Sequence, residues 1–297
     1  MKTVFEKVFQ LSKHKTTAKT EVMAGITTFM TMAYILAVNP SVLSAAGMDA
    51  TAVLLATALA SFIGTACMAL MANLPFALSA GMGLNAFLAY TVVLGMGYTW
   101  QVALLAVFVE GLIFVVLSLT NVREAIFNAI PLTLKRGVSV GIGLFICFIG
   151  LQNAGLAVDS ATLVTITSFT ENFSTHGICA LLALIGLIIT GILMAWKVKG
   201  ALFIGILVTT VIGIPMGVTN LSNVSISFEG ISVAPPFFKL SFVGLLGNGI
   251  LPLLTAIVTF AMCDCFDTVG TLIGTAGSAG MLDENGNLPR GDKALIA

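Results

Sequence analysis

The chain has 297 residues, 58% of them hydrophobic and only 9% charged, with zero net charge and a mean hydropathy of +1.08. Soluble domains carry about 25% charged residues, so this composition excludes an ordinary soluble enzyme and indicates a polytopic helical membrane protein. Neutral charge leaves no basic footprint for nucleic acid, and five scattered Cys provide no disulfide framework.

The first 20 residues hold Lys2, Lys7, Lys13, Lys15 and Lys19 and no apolar core of a signal peptide. They read as a short amphipathic lead-in. A helix needs about 20 apolar residues to cross a bilayer. Eight stretches qualify: 22–44, 51–73, 76–95, 100–119, 137–154, 177–195, 199–218 and 249–273. Span one carries Thr27, Thr28, Thr31 and Tyr34 near its middle.

Span three is interrupted. Pro75 pushes Leu74 out of helical geometry, and Gly81 and Gly83 weaken helix further on. An extended piece over 77–84 is predicted, with a half-helix starting at Asn85. Irregular backbone at bilayer depth is tolerated only where protein or a cavity covers it. The half-helix N-terminus offers backbone N–H groups to a planar ligand with ring nitrogens and carbonyl oxygens. The alternative is that the glycines only let helices pack closely. Span four contains Glu110, read as a hydrogen-bonded or protonated carboxyl that ties helices together. Residues 121–136, with Pro131, Arg123, Glu124, Lys135 and Arg136, read as interfacial, and 155–176 and 219–247 as loops.

Span eight is the most informative segment. Asp264 and Asp267 lie three residues apart in Phe260-Ala-Met-Cys-Asp-Cys-Phe-Asp-Thr-Val-Gly270. One ionisable side chain at mid-bilayer costs roughly 2.5–3.5 kcal/mol on insertion scales. Positions three and four apart share a helix face, so Asp264, Asp267, Thr268 and Thr271 form one polar stripe facing protein, water or ligand. No Lys or Arg lies in the interior of a span to neutralise the acids. Burial disfavours a charged carboxylate, and a second carboxylate nearby disfavours it further, which suits proton coupling. Cys263 and Cys265 point to different sides of the helix, so no metal pair is expected.

Twelve of the thirteen Lys/Arg fall in the N-terminus, 121–136, 196–199 and 281–293, and only Lys239 falls on the other side. The positive-inside rule then places the N-terminus and the 281–293 loop in the cytoplasm. Residues 291–297 read as the opening of a further helix, which points to the front part of a longer protein. An odd-numbered repeat inverts its second copy across the membrane, as many transporters do. Span eight would then answer span one.

The segment from Asp264 to Leu272, with Ala279-Gly-Met-Leu-Asp-Glu-Asn-Gly-Asn-Leu-Pro-Arg290, resembles the adenine/guanine/hypoxanthine permeases, a branch of the nucleobase–cation symporters. Ser79-Ala-Gly-Met-Gly-Leu-Asn-Ala-Phe87 is similar to that family's third span, and Glu21 to Ile35 to its first. The resemblance implies an all-α polytopic membrane protein with a uracil-permease-like fold, fourteen spans in two inverted seven-helix repeats. Residues 1–136 would begin a core domain (spans one to four) and 137–247 a gate domain (spans five to seven). Residues 248–297 would open the second repeat.

The implied activity is import of hypoxanthine, guanine or adenine across the cell membrane, by proton symport and elevator-like alternating access. No cofactor beyond the coupling ion is expected. Partners are the purine and the lipid bilayer, with a homodimer left open. The expected substrate-binding residues are Asp264, Asn85, Gly83, Thr31 and Tyr34. Asp267 and Thr268 are the expected proton-coupling residues, with Gly81 and Glu110 structural. A span-ten Glu of the family lies beyond residue 297. Rival readings are an anion exchanger on the same fold, disfavoured by the two carboxylates, and a passive channel. An intramembrane aspartyl protease would need its two Asp on separate helices.

Overall fold

A computed structural model describes residues 6, 8–12, 16–120, 131–161, 163–169, 173–220, 239–241, 250–283 and 288–296. Its elements in chain order are α1 (Ala18–Met32), α2 (Ile35–Ser44), α3 (Ala50–Cys67), α4 (Met82–Ala86), α5 (Trp100–Leu119) and α6 (Leu132–Asn153). After them come β1 (Ala157–Ser160), β2 (Leu163–Ile166), α7 (Ile178–Ala195), α8 (Ala201–Gly213), α9 (Ile250–Ser278) and α10 (Gly291–Ile296). A π-helical turn, Met68–Ala72, ends α3, and π-helical winding over Phe87–Gly95 continues α4.

Each of the eight stretches read as spans contains an apolar helix. Five helical stretches are long enough to cross a bilayer: Ala18–Ser44, which runs through a two-residue turn at Ala33–Tyr34, and Ala50–Ala72, Trp100–Leu117, Ile178–Ala195 and Leu251–Ser278. Met82–Gly95, Gly143–Asn153 and Ala201–Gly213 are shorter apolar helices. Large apolar side chains such as Val116, Leu187, Leu251 and Val258 point outward, as lipid contact requires.

Three expectations need correction. Stretch 22–44 is two helices, broken at Ala33–Tyr34. Thr27 and Thr28 donate to the carbonyls of Met23 and Ala24, and Thr31 donates to the nearer carbonyl of Thr28. Such back-bonding bends helices, and the tightened last bond falls just before the break. Second, the chain is not purely helical: β1 and β2 form an antiparallel hairpin, pairing Ala157 with Ile166 and Ser160 with Leu163. Third, α6 begins at Leu132, directly after Pro131, so Lys135 and Arg136 sit in its first turns. Proline is well suited to a helix start. Residues 121–130 of the interfacial segment, and most of the 219–247 loop, lie outside the described residues. The helix expected to open near 291 forms at Gly291–Ile296.

The chain divides into two compact units. One holds residues 1–34 and 145–230, the other 35–144 and 231–297. In the first unit α7 and α8 pack through a reciprocal pair. A Cβ on Gly186 would lie 2.5 Å from Oγ1 and 2.8 Å from Cγ2 of Thr209, and a Cβ on Gly205 would collide with Thr190. Each threonine donates to a glycine carbonyl of its own helix, Thr190 to Gly186 and Thr209 to Gly205. The helices thus meet glycine to threonine twice, the close small-residue packing that stabilises membrane helix pairs. Gly186→Ala should cost about 1–3 kcal/mol by overpacking. Gly191→Ala, on the same helix with nothing within 4 Å of the added Cβ, should be neutral. Thermal unfolding in detergent compares them, and equal midpoints would refute the packing account.

In the second unit the core joins α5, α9 and the π-wound continuation of α4. Leu253, Ala256, Ile257 and Phe260 recur at helical spacing on α9 and bury against Val102, Ala103 and Ala106 of α5 and Leu88 and Val92. Phe260 meets Phe87 edge-to-face at 5.0 Å and 81°. A second cluster seats Leu288 and Ala294 against Met68, Ala72 and Leu74. Arg290 donates to the carbonyl of Ala72 at 3.3 Å, capping the turn that ends α3.

Candidate functional site

The site lies in the second unit, around the interruption between α3 and α4. Asn73 takes a left-handed conformation (φ 52°) and ends the helical run. Pro75 disfavours helix at Leu74, and residues 73–81 form no helix. Backbone exposed at bilayer depth needs partners, and α3 supplies them from one face. Leu78 N–H donates to Thr65 Oγ1 at 3.0 Å, and Thr65 Oγ1 donates back to the Leu78 carbonyl at 3.2 Å. Ser61 and Ser79 hydroxyls meet at 3.0 Å. Between them, a Cβ on Gly64 would touch Leu78 Cβ at 3.4 Å, so the missing side chain lets the extended piece lie close to the helix.

The predicted extended piece is therefore present over its first part, with one correction. Helix resumes at Met82, not Asn85, because extended Gly81 (φ −76°, ψ 105°) acts as the N-cap. Gly83 and Asn85 are helical, and Asn85 N–H bonds the Gly81 carbonyl at 3.1 Å.

Asn85 does not act alone. Its Nδ2 donates to Asn39 Oδ1 of α2. Asn39 Nδ2 donates to Thr57 Oγ1 at 2.7 Å, and Thr57 Oγ1 donates to the Val53 carbonyl at 2.7 Å. A cavity of about 590 Å³ opens beside this chain, lined on its polar side by Asn39, Thr57, Ser61, Ser79 and Asn85. Leu104, Val107 and Phe108 of α5 line its apolar side. Neither acid of α9 is among its lining residues.

Asp264 and Asp267 continue the stripe of Leu253, Ile257 and Phe260 along α9, and both are half-buried. Asp267 lies against the end of the extended piece: a Cβ on Gly81 would sit 3.6 Å from its Oδ2. Thr268 is half-buried too. Thr271 is exposed and donates to the Asp267 carbonyl at 2.7 Å, so its hydroxyl serves its own helix. Glu110 is buried on the α5 face that carries Val102, Ala103 and Ala106. Thr31 and Tyr34 belong to the other compact unit, half-buried and exposed respectively. Asn39, Thr57, Ser61, Thr65 and Ser79 were not anticipated. The hydroxyls at 57, 61 and 65 recur every four residues within an apolar span, a signal that could have found α3's part.

No group of three or more His, Cys, Asp or Glu among the described residues could hold a metal ion. Apolar helices with an interrupted span and half-buried acids define a multi-pass membrane protein. The chain belongs to the Permease family, which it matches over residues 19–297. A protein of Methanocaldococcus jannaschii named MJ0326 is 50% identical over 293 residues, covering 98% of this chain and 65% of that relative. The guanine/hypoxanthine permease PbuO of Bacillus subtilis is 42% identical, covering 98% of this chain and 66% of that relative. The adenine permease AdeP of Escherichia coli is also 42% identical, covering 98% and 63%. This chain therefore spans just under two thirds of the length of these relatives. The family and the relatives named as permeases are transporters, not enzymes.

Proposed function

We propose that this chain carries the substrate-recognition part of a transporter that imports purine nucleobases across the cell membrane by proton symport. The observation that supports it most is the meeting of α9 with the interrupted span, where a Cβ on Gly81, four residues before Asn85, would sit 3.6 Å from Asp267 Oδ2. A planar purine presents ring N–H donors and ring acceptors together. Asp264 accepts from it, Asn85 binds it from the half-helix, and Asp267 takes up the coupling proton. The relatives named for guanine, hypoxanthine and adenine favour this substrate class.

In this reading the N-terminus is cytoplasmic, on the strength of the Lys/Arg asymmetry. Spans one to four and eight belong to a moving core, spans five to seven to a gate, and transport is elevator-like. Proteoliposomes holding the complete protein should accumulate radiolabelled hypoxanthine when the exterior is acidic. Collapse of the pH gradient should reduce accumulation to equilibration. Each pH unit supports up to about tenfold accumulation per proton carried. Uptake unaffected by the gradient would remove the symport, and no saturable uptake of any purine would remove the substrate class.

A further inference from the structure

We infer that Asn39 and Thr57 are positioning residues that fix which end of the Asn85 amide meets the ligand. This rests on the reading of Asn85 as a substrate contact. The direction of the chain follows from its far end. The Val53 carbonyl can only accept, so the Thr57 hydroxyl proton is committed to it at 2.7 Å. The Thr57 oxygen is then an acceptor, which only the Nδ2 of Asn39 can serve. Asn39 is left with Oδ1 facing Asn85, and Asn85 must answer with Nδ2. Asn85 therefore turns its Oδ1 arm away from Asn39 as an acceptor for a ligand N–H. Asn39 and Thr57 are each only 5% exposed, and buried polar groups satisfy one another.

If Thr57 loses its hydroxyl, nothing orients Asn39. Its amide can rotate and offer Nδ2 to Asn85, which then turns Nδ2 toward the ligand and replaces an acceptor with a donor. Thr57→Val keeps the shape and removes the anchor. Asn39→Leu removes the middle link at similar size. Thr57→Ser keeps the chain intact.

The test is equilibrium binding of radiolabelled hypoxanthine to the complete purified protein, with thermal unfolding measured alongside. Thr57→Val and Asn39→Leu should each weaken binding about tenfold or more, the scale of one hydrogen bond turned to repulsion. Thr57→Ser should bind within about threefold of the parent. Asn85→Ala should weaken binding, and adding Thr57→Val to it should weaken it no further, because Thr57 acts only through Asn85. Wild-type binding by folded Thr57→Val or Asn39→Leu would overturn the relay while leaving Asn85 in the site. An equal loss from Thr57→Val in the Asn85→Ala background would make Thr57 merely structural. Wild-type binding by Asn85→Ala would overturn the reading of Asn85 and the relay with it.

Discussion

Asp264→Asn is expected to weaken purine binding about ten- to a hundredfold. Asp264 lies on the face of α9 that continues from Phe260, one turn past the ring locked edge-on against Phe87. Its carboxylate is half-buried, where a hydrogen bond to a charged acceptor is worth roughly 1.5–3 kcal/mol. A purine ring N–H supplies the donor. Asparagine preserves volume and helix packing, yet it presents an NH₂ group that can replace an accepting oxygen and carries no charge. The loss of about 1.4–2.8 kcal/mol gives the stated range. Calorimetric titration of the complete protein with hypoxanthine, guanine and adenine checks it. Wild-type affinity for all three would remove Asp264 from recognition.

The acid stripe was legible because its supports are periodic. Leu253, Ala256, Ile257 and Phe260 follow helical spacing into the core, and the same spacing carries Asp264 and Asp267 toward protein. The interruption before α4 was legible from Pro75, whose effect on Leu74 is local and steric. Its end was misplaced, because an extended Gly81 caps a helix without any side-chain signal. The break at Ala33–Tyr34 was not legible: threonines that bond their own helix look the same in sequence as threonines that face a ligand. The hairpin at 157–166 is two four-residue strands, too short for its alternation to stand out from a loop.

What stayed hidden in the site is long-range. Asn39 and Asn85 are 46 positions apart, and Asn39 and Thr57 are 18 apart. No local pattern links an Asn beside Pro40 with one on a later half-helix. The link exists because α3 and α4 both lie against α2, a consequence of tertiary packing. A buried amide, a half-buried amide and one hydroxyl then have few ways to satisfy one another. Polar residues in an apolar chain are thus only partly described by their depth. Their partners decide whether they bind a ligand, orient a neighbour or bond their own helix.

Asp267→Asn should separate binding from coupling. Asparagine retains the size of the side chain beside Gly81 and the Thr271 hydroxyl bond to the residue 267 carbonyl, so α9 keeps its seat on the interrupted span. Purine affinity should stay within about threefold of the parent, under ~0.7 kcal/mol. What disappears is a group able to carry a proton. A half-buried carboxylate at bilayer depth is costly when charged and much less so when protonated. Protonation outside and release inside would therefore bias the loaded core toward inward movement. The variant should bind hypoxanthine and exchange it across the membrane at zero gradient. A pH difference of two units, enough for about a hundredfold accumulation with one proton, should yield only equilibration. Proteoliposome uptake with and without the gradient, together with exchange of preloaded substrate, measures both properties on one preparation. Normal accumulation by Asp267→Asn would assign coupling elsewhere and leave Asp267 as a packing residue against Gly81. Loss of exchange as well as accumulation would place it in the transport step itself.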